Sequence, residues 1–74
     1  MKILYDDQRH LIVVPYSLEN LHRAAEQLGI KRCWFHKDHY DIPKRMVARM
    51  SETTAEKVSP REILKIVRGK KSLR

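Results

Sequence analysis

Acidic residues and histidines gather at two places in this chain, and both residue types bind metal ions or transfer protons. Asp6 and Asp7 follow a short apolar run, and His39 and Asp41 lie shortly after a second one. Carboxylate oxygens and imidazole nitrogens are ligands for Mg²⁺, Mn²⁺ and Zn²⁺. A metal ion held there would polarise a phosphoryl group or activate water. The structural alternative is that Asp6 and Asp7 begin a turn and that Asp41 caps a following helix.

Other familiar site motifs are missing from the sequence. The two glycines, Gly29 and Gly69, both occupy positions typical of helix ends, so there is no glycine-rich phosphate loop. No zinc-finger spacing and no nucleophile with its base stand out. No residue is therefore assigned a catalytic role, and the sequence leaves open whether the protein is an enzyme.

The positive charge is concentrated in the second half of the chain. The net charge is +7, and residues 1–43 contain equal numbers of acidic and basic residues, so residues 44–74 carry all of it. Such a concentration favours nucleic acid, another phosphate-rich partner or an acidic protein surface. The residues predicted to bind an anion are Arg45, Arg49, Ser59, Arg61, Lys65, Arg68, Lys70 and Lys71.

The cellular setting is predicted from three absences. Cys33 is the single cysteine, so no disulfide forms within the chain, and a reducing compartment is expected. No apolar run approaches the roughly 20 residues of a membrane span, and charge appears too early for a signal peptide. We expect a cytoplasmic protein, or one in the host cytoplasm if it is phage-encoded, that does not bind membranes. A homo-oligomer is left open.

Strands and helices alternate along the predicted elements. Apolar, β-rich runs predict strands at residues 2–5, 10–14, 32–36 and 55–58. Helices are predicted from the capping residue Ser17 to Gly29, after Pro43, and from Ser59 to Gly69. At this length we expect one domain over residues 1–69, followed by a basic disordered tail at 70–74.

This alternation predicts an α/β fold with a small, mainly parallel sheet of three to four strands and about three helices. The alternative is an α+β fold in which the first two strands form an N-terminal hairpin. In the parallel arrangement, the acidic and histidine residues would meet at the carboxyl ends of the strands.

One pattern runs through most of the chain: the acidic pair at 6–7, Leu21-His22, Leu28-Gly29, Trp34, the run His39-Tyr40-Asp41, and Arg45 or Arg49. In this pattern the chain resembles the small phage and bacterial family catalogued as domain of unknown function 4031. The resemblance implies a phage or bacterial source but no activity, because that family is uncharacterised. It also implies that one metal or ligand site is formed by Asp6, Asp7, His22, His39, Tyr40 and Asp41.

Three functions are compatible with these patterns. The first choice is a binding module for nucleic acid or another phosphate-rich partner. The charge asymmetry that favours it is counted from the sequence and does not depend on the predicted fold. The alternative is a phosphoryl or nucleotide hydrolase that uses a divalent metal ion at the Asp/His site. The third is a phage accessory protein that docks on a host protein.

Overall fold

The computed structural model describes the backbone of residues 1–72 and the side chains of residues 1–69. It contains five strands, two α-helices and two 3₁₀ segments. The strands are β1 (Lys2–Tyr5), β2 (His10–Val14), β3 (Phe35–His36), β4 (His39–Asp41) and β5 (Glu56–Lys57). The helices are α1 (Leu18–Leu28) and α2 (Pro60–Ser72), and the 3₁₀ segments are Arg32–Trp34 and Lys44–Glu52.

The five strands form one mixed sheet in the order β3-β4-β2-β1-β5. Only β1 and β5 are parallel, whereas β1 with β2, β2 with β4, and β3 with β4 are antiparallel. The predicted mainly parallel sheet is therefore wrong, and the alternative with an N-terminal hairpin is confirmed. The reason is the short connection at residues 6–9, because a parallel crossover needs a dozen or more residues.

Four predicted elements differ in detail. The predicted strand at 55–58 is shorter, at Glu56–Lys57. The predicted strand at 32–36 is a strand only at Phe35–His36, because Arg32–Trp34 forms a 3₁₀ turn. The predicted helix after Pro43 is the 3₁₀ segment Lys44–Glu52. Helix α2 continues through Gly69, where it was predicted to end. Leu73 and Arg74, the last residues of the predicted tail, lie outside the described residues.

Each face of the sheet is covered by one α-helix. On the α1 face, Leu11, Val13 and Tyr40 pack with Leu21 of the helix. On the α2 face, Ile12 of β2 packs with helix residues, among them Ile63 and Val67. Because successive strand residues point to opposite faces, β2 and β4 each present alternate side chains to α1 and to α2. This alternation determines which polar residues can meet.

Helix α1 begins and ends where local signals place it. The Ser17 hydroxyl accepts a hydrogen bond from the Asn20 backbone N–H at 3.2 Å. Gly29 closes the helix with a φ of 81°, a left-handed conformation that favours glycine. The Ser17 cap therefore gives an acceptor to the Asn20 amide, one of the first N–H groups of the helix that have no partner within the helix.

We expect Ser17→Ala to lower the free energy of unfolding by about 1 kcal/mol, because the freed amide at the helix start loses its acceptor. Urea denaturation of the two proteins measures this difference. Ser51→Ala is the matched control, since Ser51 is exposed, and its effect should stay within about 0.5 kcal/mol. Equal losses in the two variants would contradict a capping role for Ser17.

Candidate metal centre

Two histidines and one aspartate form a compact cluster on the α2 face. His10, His39 and Asp41 each offer one ligand atom, and these atoms lie within 4.8 Å of one another. The topology brings them together, because His10 of β2 is paired with Asp41 of β4. His39 is two residues before Asp41 and so projects to the same face. We call these three residues the metal triad.

A buried carboxylate fixes the orientation of His10. Asp6 is 1 % exposed, and its Oδ2 accepts a hydrogen bond from Nδ1 of His10 at 2.9 Å. Its Oδ1 accepts hydrogen bonds from the backbone N–H groups of Gln8 and His10, both at 2.9 Å. A carboxylate on one ring nitrogen is the usual support for a histidine that binds metal through the other. Nε2 of His10 is thus the nitrogen left for a ligand.

His39 lies between two carboxylates. Its Nδ1–H donates to Oδ1 of Asp38 at 2.9 Å, and its Nε2 lies 3.3 Å from Oδ1 of Asp41. A neutral imidazole that donates from Nδ1 has only a lone pair on Nε2. The carboxylate of Asp41 offers lone pairs beside that nitrogen. The two atoms are therefore placed to ligate one cation.

The hairpin that carries His39 is tied to the rest of the domain. The Tyr16 hydroxyl donates to the backbone carbonyl of Asp38 at 2.6 Å. Burial, with a smaller contribution from the negative charge of Asp38, raises the pKa of Tyr16. Tyr16 therefore remains a protonated donor at neutral pH and holds the β3–β4 turn in place.

A groove of about 380 Å³ lies between α2 and two of the three cluster residues, His10 and His39. Asp38 lines it on the same side, and Arg61 and Arg68 line the helix side. Ile63, Leu64 and Val67 supply an apolar wall between the arginines. Arginine binds phosphate oxygens through paired N–H donors. The groove is thus lined by two candidate metal ligands and two arginines.

The structure divides the site that the family resemblance implied. Asp6, His39 and Asp41 lie together on the α2 face. Asp7 is exposed, and His22 and Tyr40 meet on the α1 face. Sequence reasoning missed His10, treating it only as a strand residue. The sequence signal that could have identified His10 is its spacing from Ile12 and Val14. Alternate residues of a strand share one face, and here that face is the one that α2 covers.

The predicted anion-binding residues also occupy separate places. Arg61 and Arg68 line the groove, and Lys65 is exposed on the same helix. Ser59 caps α2, where its hydroxyl accepts the backbone N–H of Glu62 at 3.2 Å. The exposed Arg45 and Arg49 lie on the segment Lys44–Glu52. The side chains of Lys70 and Lys71 lie outside the described part of the chain.

A second polar pair lies on the α1 face. Nδ1 of His22 is 2.7 Å from the Tyr40 hydroxyl, and the His22 ring lies against Phe35 at a centroid distance of 4.7 Å. Burial, with a smaller contribution from the positive charge of Arg32, lowers the pKa of His22. The imidazole is therefore neutral at physiological pH.

This lowered pKa predicts a pH dependence of stability. The unfolded chain binds the His22 proton more readily than the folded one, so stability should fall as the pH drops below about 6.5, the ordinary histidine value. Unfolding in urea between pH 7.5 and 5 measures the slope. The slope should become smaller in His22→Gln but not in His36→Gln, whose side chain is exposed. An unchanged slope in His22→Gln would contradict the assignment.

The fold and the cluster define a small α+β domain with a candidate metal site under its C-terminal helix. The chain belongs to the family described as Protein of unknown function (DUF4031), which matches residues 6–70. That match includes the metal triad, Asp6 and both groove arginines. No curated protein and no solved structure matches the chain. Within residues 1–72, neither helix has the length and apolar character needed to cross a membrane.

Proposed function

We propose that the protein is a divalent-metal-dependent hydrolase of phosphate esters, with the metal triad as its metal centre. The observation that carries this proposal is the close approach of Nε2 of His39 to the Asp41 carboxylate at 3.3 Å. His10 stands at the same point, held there by the buried carboxylate of Asp6. This arrangement supports a bound cation shared by the three side chains.

The ligand set favours particular ions. Imidazole nitrogen suits Zn²⁺ and other transition metals, whereas Mg²⁺ prefers a site made of oxygen ligands. We therefore expect Zn²⁺ or Mn²⁺ to bind more tightly than Mg²⁺. Three protein ligands leave coordination positions for water and for a phosphate oxygen. A metal ion held by His10, His39 and Asp41 would lower the pKa of bound water and so would supply a nucleophile near neutral pH.

Arg61 and Arg68 are the reason that phosphate esters are proposed as substrates. Both arginines line the same groove as His10 and His39, and their guanidinium groups would hold phosphate oxygens there and stabilise charge that develops during transfer. The apolar wall would contact the organic part of the ester. The proposed roles are metal binding for the triad, orientation for Asp6 and phosphate binding for the arginines.

Hydrolysis of bis(p-nitrophenyl) phosphate and p-nitrophenyl phosphate by purified protein tests this function. We expect turnover that requires Zn²⁺ or Mn²⁺ and that falls at least about a hundredfold in Asp41→Asn. Arg61→Gln should weaken substrate binding more than metal binding. Asp7→Asn is the control, since it removes an exposed carboxylate outside the cluster. Metal-independent turnover, or full activity in Asp41→Asn, would contradict the proposal.

A second candidate is a non-catalytic module that binds nucleic acid or another phosphate-rich partner. It is favoured by Arg61, Lys65 and Arg68, which are exposed at i, i+4 and i+7 along α2. Affinity for a short DNA duplex should then fall steeply with salt, and Lys65→Gln should reduce the salt slope by about one. Duplex binding without hydrolysis would favour this candidate. If the protein neither binds the duplex nor hydrolyses phosphate esters, the remaining candidate partner is the acidic surface of a host protein.

A further inference from the structure

A groove on the α1 face, opposite the metal triad, is larger than the groove beside α2. Its volume is about 600 Å³, and it lies between α1 and the segment Arg32–Trp34. Its lining includes His22, Tyr40, Lys31 and Arg32. We propose that this groove is a second ligand site, which binds the carboxylate or phosphate group of a small molecule through His22 and Arg32. The proposal does not depend on the function of the metal triad.

The hydrogen bond between His22 and Tyr40 determines which ring nitrogen of His22 carries hydrogen. Tyr40 is 1 % exposed, and a buried hydroxyl requires an acceptor. Among the described residues, its hydrogen-bond partner is Nδ1 of His22 at 2.7 Å. We assign the hydroxyl as the donor to Nδ1, so that neutral His22 carries its hydrogen on Nε2. His22, which lines the groove, then offers an N–H donor at Nε2.

Charge in the groove favours an anion. Arg23 is paired with Glu19 at 3.6 Å, so these two lining residues largely neutralise each other. The remaining lining charges are the two cations Lys31 and Arg32 and the carboxylate of Glu26. Arg32 and His22 line the same groove, and after burial the positive charge of Arg32 is the second cause that lowers the pKa of His22. An anionic oxygen that accepts the Nε2–H would at the same time be attracted to Arg32.

The shape of the groove suits a small ligand. Volumes of roughly 300–1,000 Å³ are usual for small-molecule sites. Buried Tyr40 and Ile30 lie at the bottom of the groove. Gly29 forms part of its wall, and no atom from other parts of the described chain lies within 4 Å of the position that a Cβ would occupy there. The ligand can therefore approach the backbone at the end of α1.

The test is an NMR titration that follows the His22 ring signals, with inorganic phosphate and succinate added in separate experiments. The nitrogen spectrum should show hydrogen on Nε2 of His22 before any addition. At least one of the anions should then give saturable shifts at His22 and at the Arg32 side chain. Saturation with phosphate alone or succinate alone identifies the preferred group, and either result supports the site.

Variants separate this site from general charge attraction and from the metal triad. Arg32→Gln changes an exposed residue and should weaken anion binding at least about tenfold. Lys57→Gln, which removes one exposed positive charge from β5, should bind as the wild type does, and so should His39→Gln. Hydrogen on Nδ1 of His22, shifts that do not saturate with either anion, or unchanged affinity in Arg32→Gln would each overturn the proposal.

Discussion

Replacing Asp6 by alanine is expected to lower the free energy of unfolding by about 3 kcal/mol, a large part of the stability of a domain of this size. The Asp6 carboxylate is buried and accepts two backbone N–H groups and the Nδ1–H of His10, each at 2.9 Å. Alanine would leave those donors without an acceptor inside the β1–β2 turn. Hydrogen bonds to a charged acceptor are among the stronger ones in proteins.

Urea denaturation at neutral pH measures this loss, with Asp7→Ala as the matched control. Asp7 is the adjacent residue and is exposed, so its replacement should change the free energy of unfolding by less than about 0.5 kcal/mol. Similar losses in the two variants would show that the turn needs negative charge in general. That result would contradict a specific role for the buried carboxylate.

The second large effect is expected from metal addition. An ion that binds only the folded protein, at a hundredfold excess over its dissociation constant, stabilises it by about 2.7 kcal/mol. For a domain of this size the melting temperature should rise by roughly 10–20 °C. We expect this rise with Zn²⁺ in the wild type and its loss in His39→Gln, because that variant removes a ligand from the triad.

His36→Gln is the control for metal addition, because it makes the same chemical change in an exposed histidine on the same hairpin. It should keep the full rise in melting temperature. Asp6→Asn should weaken metal affinity by about 10- to 100-fold, the usual effect of losing a carboxylate that supports a metal-binding histidine. A rise that persists in His39→Gln, or that disappears in His36→Gln, would contradict the assigned ligands.

Elements defined by neighbouring residues could be predicted from the sequence. Helix α1 has a capping serine at Ser17, an apolar stripe and Gly29 at its end, and all three signals act within a few residues of one another. The start of α2 at Pro60 follows from the same kind of signal. The family match confirms the resemblance that the run His39-Tyr40-Asp41 indicated.

The partners of β2 could not be predicted from local signals. Its apolar residues suit a parallel or an antiparallel strand equally well, and only the short connection at residues 6–9 favours the hairpin. The segment Lys44–Glu52 places Met46 and Met50 in the core, which either an α-helix or a 3₁₀ helix can do. The spacing of the apolar residues therefore could not distinguish an α-helix from a 3₁₀ helix in this segment.

The composition of the candidate site could not be predicted either, because it depends on which strand pairs with β2. Because β2 lies beside β4, His10 meets Asp41, a residue far away in the sequence. Alternation along β4 then sends Tyr40 to the opposite face, where it meets His22. A site expected as one cluster is thus divided between the two faces of the sheet, with Asp7 in neither group. The division follows from a single strand of three residues.

The most direct test of the metal centre is to follow the ring nitrogens of all four histidines by NMR while Zn²⁺ is added to the wild-type protein. We predict binding of one ion per chain, with large shifts at Nε2 of His10 and His39 and small changes at His22 and His36. Absence of saturable binding, or shifts confined to the exposed His36, would contradict a metal centre formed by His10, His39 and Asp41.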